Sequence, residues 1–158
     1  MRVQVPGLGS GIAELGLIRM NLADGERSSQ PRAVLAQDQA PVRVLVVDDS
    51  EVFRNVMAVV VAGTPGFEVA GRASSGREAL HLVEELAPQL VLLDVWMPDM
   101  DGIETGRRIR RHYPEVVVLL LTPTKQASLN DPALTIEDKR DLSSEWLVEF
   151  WRRQGAQH

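Results

Sequence analysis

Apolar residues in this chain gather, from Val42 onward, into short unbroken runs separated by stretches with helical spacing. "VRVLVV", starting at Val42, and "QLVLLD", ending at Asp94, do not alternate with polar positions, which predicts strands buried on both faces. "FEVAGRA" and "EVVVLLLT" predict two more strands, and "ALTI", residues 133–136, a short fifth. Between the first two strands Phe53, Val56, Met57 and Val60 recur a helical turn apart, with Ser50 as N-cap and Gly63 as stop. Ala79, Leu80, Val83 and Leu86 repeat the pattern after "SSG" until Pro88 interrupts it. A helix is predicted over 103–112, opened by Gly102 and closed before Pro114, and "SSEWLVEFWRR" is a closing helix capped by Ser143 or Ser144. Strands alternating with helices imply right-handed crossovers, hence an α/β fold with a parallel sheet covered on both faces. Reactive groups in such sheets collect at the carboxyl ends of the strands, where Asp48, Asp49, Asp94 and Thr122 stand.

Residues 1–40 break this regularity. Rich in Gly, Ser, Gln and Ala, they are expected to form a loosely ordered extension, or to reflect a start codon placed too early, ahead of one domain over 41–155. Gly7 and Gly9 begin a dinucleotide fingerprint, but Ile12 occupies the third glycine position and the fingerprint fails. With 158 residues, 44% hydrophobic and 25% charged, the chain has the makeup of one folded domain. A net charge of −5 argues against direct nucleic-acid binding, and the basic "RRIRRH" at 107–112 is read as a solvated helix face. Having no cysteine rules out disulfides and thiolate chemistry, and His81, His112 and His158 are too scattered for a metal cluster. No apolar run approaches the roughly 18 residues of a membrane span, so a cytoplasmic protein is expected.

The aspartates carry the chemistry. Three carboxylates brought together from two adjacent strand ends repel one another at neutral pH, which raises their pKa values or calls for a cation. Mg²⁺ meets the need: it prefers oxygen ligands, and one or two carboxylates together with phosphate oxygens commonly hold it.

"VLVVDDS", "LVLLDVWMPDMDG", "VVVLLLT" and the lysine of "EDKRDLS", taken in order, resemble the response-regulator receiver domain of two-component signalling, from about Val42 to the final helix. The resemblance implies a flavodoxin-like, doubly wound five-stranded sheet of order 2-1-3-4-5. It implies that Asp94 accepts a phosphoryl group from a phosphohistidine of a sensor histidine kinase or phosphotransfer protein. Asp49 would bind Mg²⁺ directly, Asp48 would hold a metal-bound water, and Asp94 and the main-chain carbonyl of Trp96 would complete the metal's protein ligands. Thr122 would donate its hydroxyl to the phosphoryl group, and Lys139 would pair with it. Met97-Pro98 and Gly102 would shape the loop, Gly102 through backbone angles that other residues avoid. Too little chain follows Lys139 for an output domain, so no enzymatic activity is expected, and the signal would pass to a downstream protein or a homodimer through a surface holding Trp146, Phe150 and Trp151.

The chain departs from the family in the last third. Pro123 follows Thr122 and has no N–H to offer a phosphoryl group. The interval to Lys139 is short, which predicts a curtailed fourth helix; Ile136 stands where an aromatic is common, and Lys125 is a rival to Lys139. Trp96, two residues past Asp94, is bulky enough to shield an acyl phosphate and slow its loss. Two competing readings are a degenerate receiver that binds protein constitutively and a phosphatase with its nucleophile after the first strand. The phosphatase favours D-x-D where this chain has Asp48-Asp49-Ser50.

Overall fold

The structure, a computed structural model, describes residues 39–123 and 131–155. The expectations for the N-terminal extension, for the Gly7–Gly9 motif, for His158 and for Lys125 fall outside these residues.

Five strands, β1 (Val42–Val47), β2 (Phe67–Ala73), β3 (Leu90–Asp94), β4 (Val117–Thr122) and β5 (Thr135–Asp138), form one sheet of order β2-β1-β3-β4-β5. Every pairing is parallel. Four α-helices are present among the described residues: α1 (Glu51–Ala62), α2 (Gly76–Leu86), α3 (Gly102–His112) and α4 (Ser144–Gly155). Side chains alternate across the pleat. Val44, Val46, Leu90, Leu92, Leu119 and Leu121 therefore face Met57 and Val61 of α1 and Leu147 and Phe150 of α4. Leu45, Val47, Val91, Leu93, Val118 and Leu120 face Ala79 and Val83 of α2 and Ile109 of α3. Each such leucine, wholly withdrawn from water, contributes about 1.5–3 kcal/mol. No described helix is long and apolar enough to cross a membrane.

Ser50 caps α1, its hydroxyl accepting from the Phe53 N–H, and Ser143 rather than Ser144 caps α4, accepting from Trp146 N–H at 3.2 Å. The buried face of α1 differs from the sequence reading. Met57, Ala58 and Val61 are buried, whereas Phe53 and Val56 are exposed along with Val52 and Val59. This helix is apolar around most of its circumference, so spacing alone does not choose the face.

Strand β5 begins two residues later than predicted. A turn precedes it, with the Leu134 N–H donating to the Asp131 carbonyl and the Asp131 carboxylate accepting from the Ala133 N–H at 3.0 Å. Leu134 is only 7% exposed and packs into the core beside Gly106 of α3 and Val118. Part of the segment in which the fourth helix was expected to be curtailed, residues 124–130, lies outside the described residues.

The aromatics expected to form a surface on the last helix also serve as packing, Phe150 almost wholly and the two tryptophans in part. Phe150 is buried, Trp146 stacks on it with ring centroids 5.1 Å apart, and Trp151 meets Phe67 edge-on. Both tryptophans pack against the core under α1 and α4. The basic run on α3 is absorbed locally: Arg107 pairs with Asp131 at 3.0 Å, Arg108 with Glu104 at 2.7 Å, and Arg110 donates to the carbonyls of Pro114 and Val116.

Candidate functional site

The sheet register sets Val47 of β1 opposite Leu93 of β3, so the next residues, Asp48 and Asp94, leave adjacent strand ends at the same level. Asp49 follows in the turn before α1. Asp48 is fully buried, Asp94 is 3% exposed, and Asp49 is exposed. One carboxylate oxygen of each lies within 4.8 Å of the others. The predicted trio thus converges.

Lys139 arrives from the far side. Thr122 pairs with Asp138, so the lysine leaves β5 just above the level of the β4 end and opens a 3-10 turn over Lys139–Asp141. Its ammonium donates to Asp48 Oδ2 at 2.7 Å and lies 3.1 Å from Asp94 Oδ1. The other oxygen of Asp48 accepts from the Ser50 N–H at 2.9 Å, and Arg54 Nη1 donates to the Asp48 carbonyl at 2.7 Å. Thr122 is fully buried at the end of β4, in line with these groups along the sheet edge.

Burial raises the pKa of the Asp94 carboxyl above its ordinary value, and the neighbouring charge of Asp48 adds to the effect. Lys139 and the Trp96 N–H pull in the opposite direction without cancelling it. Asp94 Oδ1 is buried without a hydrogen bond despite the nearby ammonium. A buried carboxylate oxygen with spare acceptor capacity, two more carboxylates within reach and an all-oxygen donor set fit a hard divalent cation.

The loop after β3 is fastened at several points. Asp99 accepts from the Gly76 and Arg77 N–H groups at 3.2 Å each, tying the loop to the start of α2, and Asp101 caps α3 through the Glu104 N–H at 2.8 Å. Gly102 is needed for close approach rather than for unusual backbone angles, since it is not among the described positive-φ residues. A Cβ there would lie 2.0 Å from the carbonyl oxygen of Asp94. Trp96 is 62% exposed, so most of its indole stands in solvent, two residues past Asp94. Pro123 is exposed, and Ile136 is half-buried against the core.

Two neighbours of the site were not singled out by sequence. Phe53 was counted with the buried face of α1, yet its ring lies under the Lys139 ammonium. Arg140 embraces the buried Asp138, giving Nε–H and backbone N–H to Oδ1 at 2.9 and 2.8 Å. An acid two residues before an arginine at a strand end is the only signal the sequence offers for that fork.

A family model of the response regulator receiver domain matches residues 44–139. The chain belongs to that family. The receiver is 42% identical over 122 residues to protein-glutamate methylesterase/protein-glutamine glutaminase 2 of Anaeromyxobacter dehalogenans, a match covering 75% of this chain and 36% of that one. It is 41% identical over 81 residues to the response regulator GacA of Pseudomonas viridiflava, covering 51% and 38% of the two chains. The receiver thus spans well under half the length of these curated relatives. Among solved structures it is similar to the response regulator domain of Thermotoga maritima CheB, with TM-score 0.62, 28% identity, and 72% and 95% of the two chains covered. The signal receiver domain of the putative response regulator NarL from Mycobacterium tuberculosis gives TM-score 0.62 at 25% identity, covering 76% and 100%. Both comparisons agree with the flavodoxin-like sheet order found here.

Proposed function

We propose that this receiver accepts a phosphoryl group on Asp94 from a phosphohistidine of a sensor histidine kinase or phosphotransfer protein, in a Mg²⁺-dependent reaction, and signals through protein contacts. The observation that carries the reading is the convergence of Asp48, Asp49 and Asp94 within 4.8 Å with Lys139 between two of them. An Asp94 carboxylate oxygen forms the new O–P bond as the N–P bond of the donor breaks, and the departing imidazole nitrogen takes its proton from solvent. Such transfers depend on positioning and charge neutralisation more than on covalent help. Lys139 supplies a fixed positive charge, the Thr122 hydroxyl donates to a phosphoryl oxygen, and the Trp96 N–H remains a main-chain donor where Pro123 has none. Mg²⁺, held by Asp49 and Asp94, by Asp48 through a water and by the Trp96 carbonyl, would neutralise charge between the carboxylates and the phosphoryl oxygens.

Labelling by acetyl phosphate tests the assignment. Incorporation is expected with Mg²⁺, and it is expected to vanish with a chelator or in Asp94→Asn; a variant that labels like the wild type would remove Asp94 as acceptor.

A second reading, a receiver used as a constitutive binding module, draws on Pro123 and on the lysine already bonded to Asp48. Beryllofluoride with Mg²⁺ separates the two: tight binding with a shift in the resonances around Thr122 supports the switch, and no binding supports the constitutive module. The phosphatase reading loses ground because Ser50, at the position of the second D-x-D acid, is engaged as the α1 N-cap.

A further inference from the structure

The position of Lys139 is the least constrained part of the site by sequence and the most constrained by contacts. Its side chain is 9% exposed, and the ammonium stands 4.2 Å from the centroid of the Phe53 ring while bonding Asp48 and approaching Asp94. Phe53 itself is 45% exposed and belongs to neither buried cluster of the core. An aromatic in that situation adds little to core packing. Below it lies a cavity of about 140 Å³ lined by Phe53, Val56, Met57, Leu121, Arg140 and Leu142, together with the lysine. A flexible four-carbon stem beside apolar space of that size has room to leave the carboxylates.

We infer that Phe53 is a positioning residue for phosphoryl transfer: its ring seats the Lys139 ammonium by a cation–π contact and keeps the lysine between Asp48 and Asp94. The proposal rests on the role given above to Lys139. The ring's negative face attracts the cation, and the contact strengthens where water is partly excluded, as it is around a side chain this buried. Phe53 is placed for the task by its helix, since the Ser50 cap that starts α1 accepts from the Phe53 N–H. On the other flank the Asp138–Arg140 fork folds the chain just beyond β5, so the backbone of Lys139 is anchored while its head is seated.

Phe53→Leu keeps an apolar residue and helix propensity at a half-exposed site, so the variant should fold. With Mg²⁺ and acetyl phosphate, its initial labelling rate is expected to be about three- to tenfold below wild type, with Phe53→Tyr and Phe53→Trp restoring it. Phe53→Leu should have no further effect in a Lys139→Ala background. Independently of any phosphodonor, the Lys139 ε-methylene protons are expected to show an upfield ring-current shift that is lost in Phe53→Leu and kept in Phe53→Tyr. Wild-type labelling by Phe53→Leu while Lys139→Ala is slow would overturn the positioning role and leave the lysine's role intact. If Lys139→Ala also labelled at the wild-type rate, the lysine's role would fail and the positioning role with it, even with the ring-current shift present.

Discussion

Replacing Gly102 with alanine puts a new carbon 2.0 Å from the carbonyl oxygen of Asp94 and 2.9 Å from both the Asp94 carbonyl carbon and the Val95 Cα. All three are backbone atoms, so no rotamer change relieves the contact. A Cβ essentially never sits closer than 3.0 Å to a neighbouring heavy atom, so the end of β3 and the start of α3 must part by about 1 Å. Overpacking of this kind costs about 1–3 kcal/mol. The separation also stretches the 2.9 Å bond from the Gly102 N–H to the Val95 carbonyl, worth about 0.5–1.5 kcal/mol. A loss of about 2–4 kcal/mol in unfolding free energy follows. The effect on chemistry should exceed the effect on stability, because the displaced residue is the proposed acceptor, and misplacement by about 1 Å can cost on the order of 100-fold in rate. The measurements are urea unfolding and the initial rate of labelling by acetyl phosphate with Mg²⁺, at a temperature where circular dichroism shows the variant folded. Gly102→Ala with wild-type stability and wild-type rate would refute the close-approach account.

Three further outcomes are expected. Asp94 has a folded pKa above the ordinary 3.8, so the folded state binds its proton more tightly than the unfolded state, and ionisation lowers stability as pH rises from 3.8 through the raised value. Asp94→Asn should therefore unfold at higher urea than wild type at neutral pH in the presence of chelator, with the gap closing toward pH 3.8; an equal gap at all pH values contradicts this. Trp96→Ala should shorten the lifetime of the acyl phosphate if the indole shields it, and an unchanged lifetime removes that role. Leu134→Ala should cost about 2–4 kcal/mol in urea unfolding, because Leu134 fills the space between α3 and β4, and a loss below about 1 kcal/mol would show that the site collapses to refill it.

Those parts of the fold governed by burial on both faces were legible in the sequence. Unbroken runs such as "VRVLVV" and "QLVLLD" have one structural solution in an alternating chain, and the aspartates that end them inherit their place from the strand ends. The face of α1 was not legible, since Val52, Val56 and Val59 are as apolar as the residues actually buried. The start of β5 was missed for a different reason: Leu134 is apolar enough for a strand but is consumed by the Asp131 turn. Gly102 was recognised as necessary and explained wrongly, because a close approach to Asp94 is a tertiary event that a local motif does not display. The seating of Lys139 on Phe53 joins the first helix to the last strand and has no local signature at all.

Charge accounts for why, under the proposed reaction, the same few groups would answer both metal and phosphate. Asp48, Asp49 and Asp94 gather three carboxylates, and Lys139 is the cation that reaches two of them. Two negative charges remain, matching one divalent cation; burial first, and the Asp48 charge second, raise the pKa of Asp94. Under the proposed reaction Asp94 exchanges a single negative charge for a phosphoryl group carrying nearly two, so the site again needs positive charge and donors. Pro123 has no N–H to give, which leaves the Lys139 ammonium, the Thr122 hydroxyl and the Trp96 N–H. Of these, Lys139 is the one that continues directly into a turn held by a buried acid and an exposed arginine, Asp138 and Arg140. The flexible stem lets the ammonium move toward the phosphoryl group while the fork holds the backbone beneath it in place. Under the proposed reaction, mutations at Asp138 or Arg140 should loosen the turn that anchors Lys139 and slow labelling by acetyl phosphate without abolishing it.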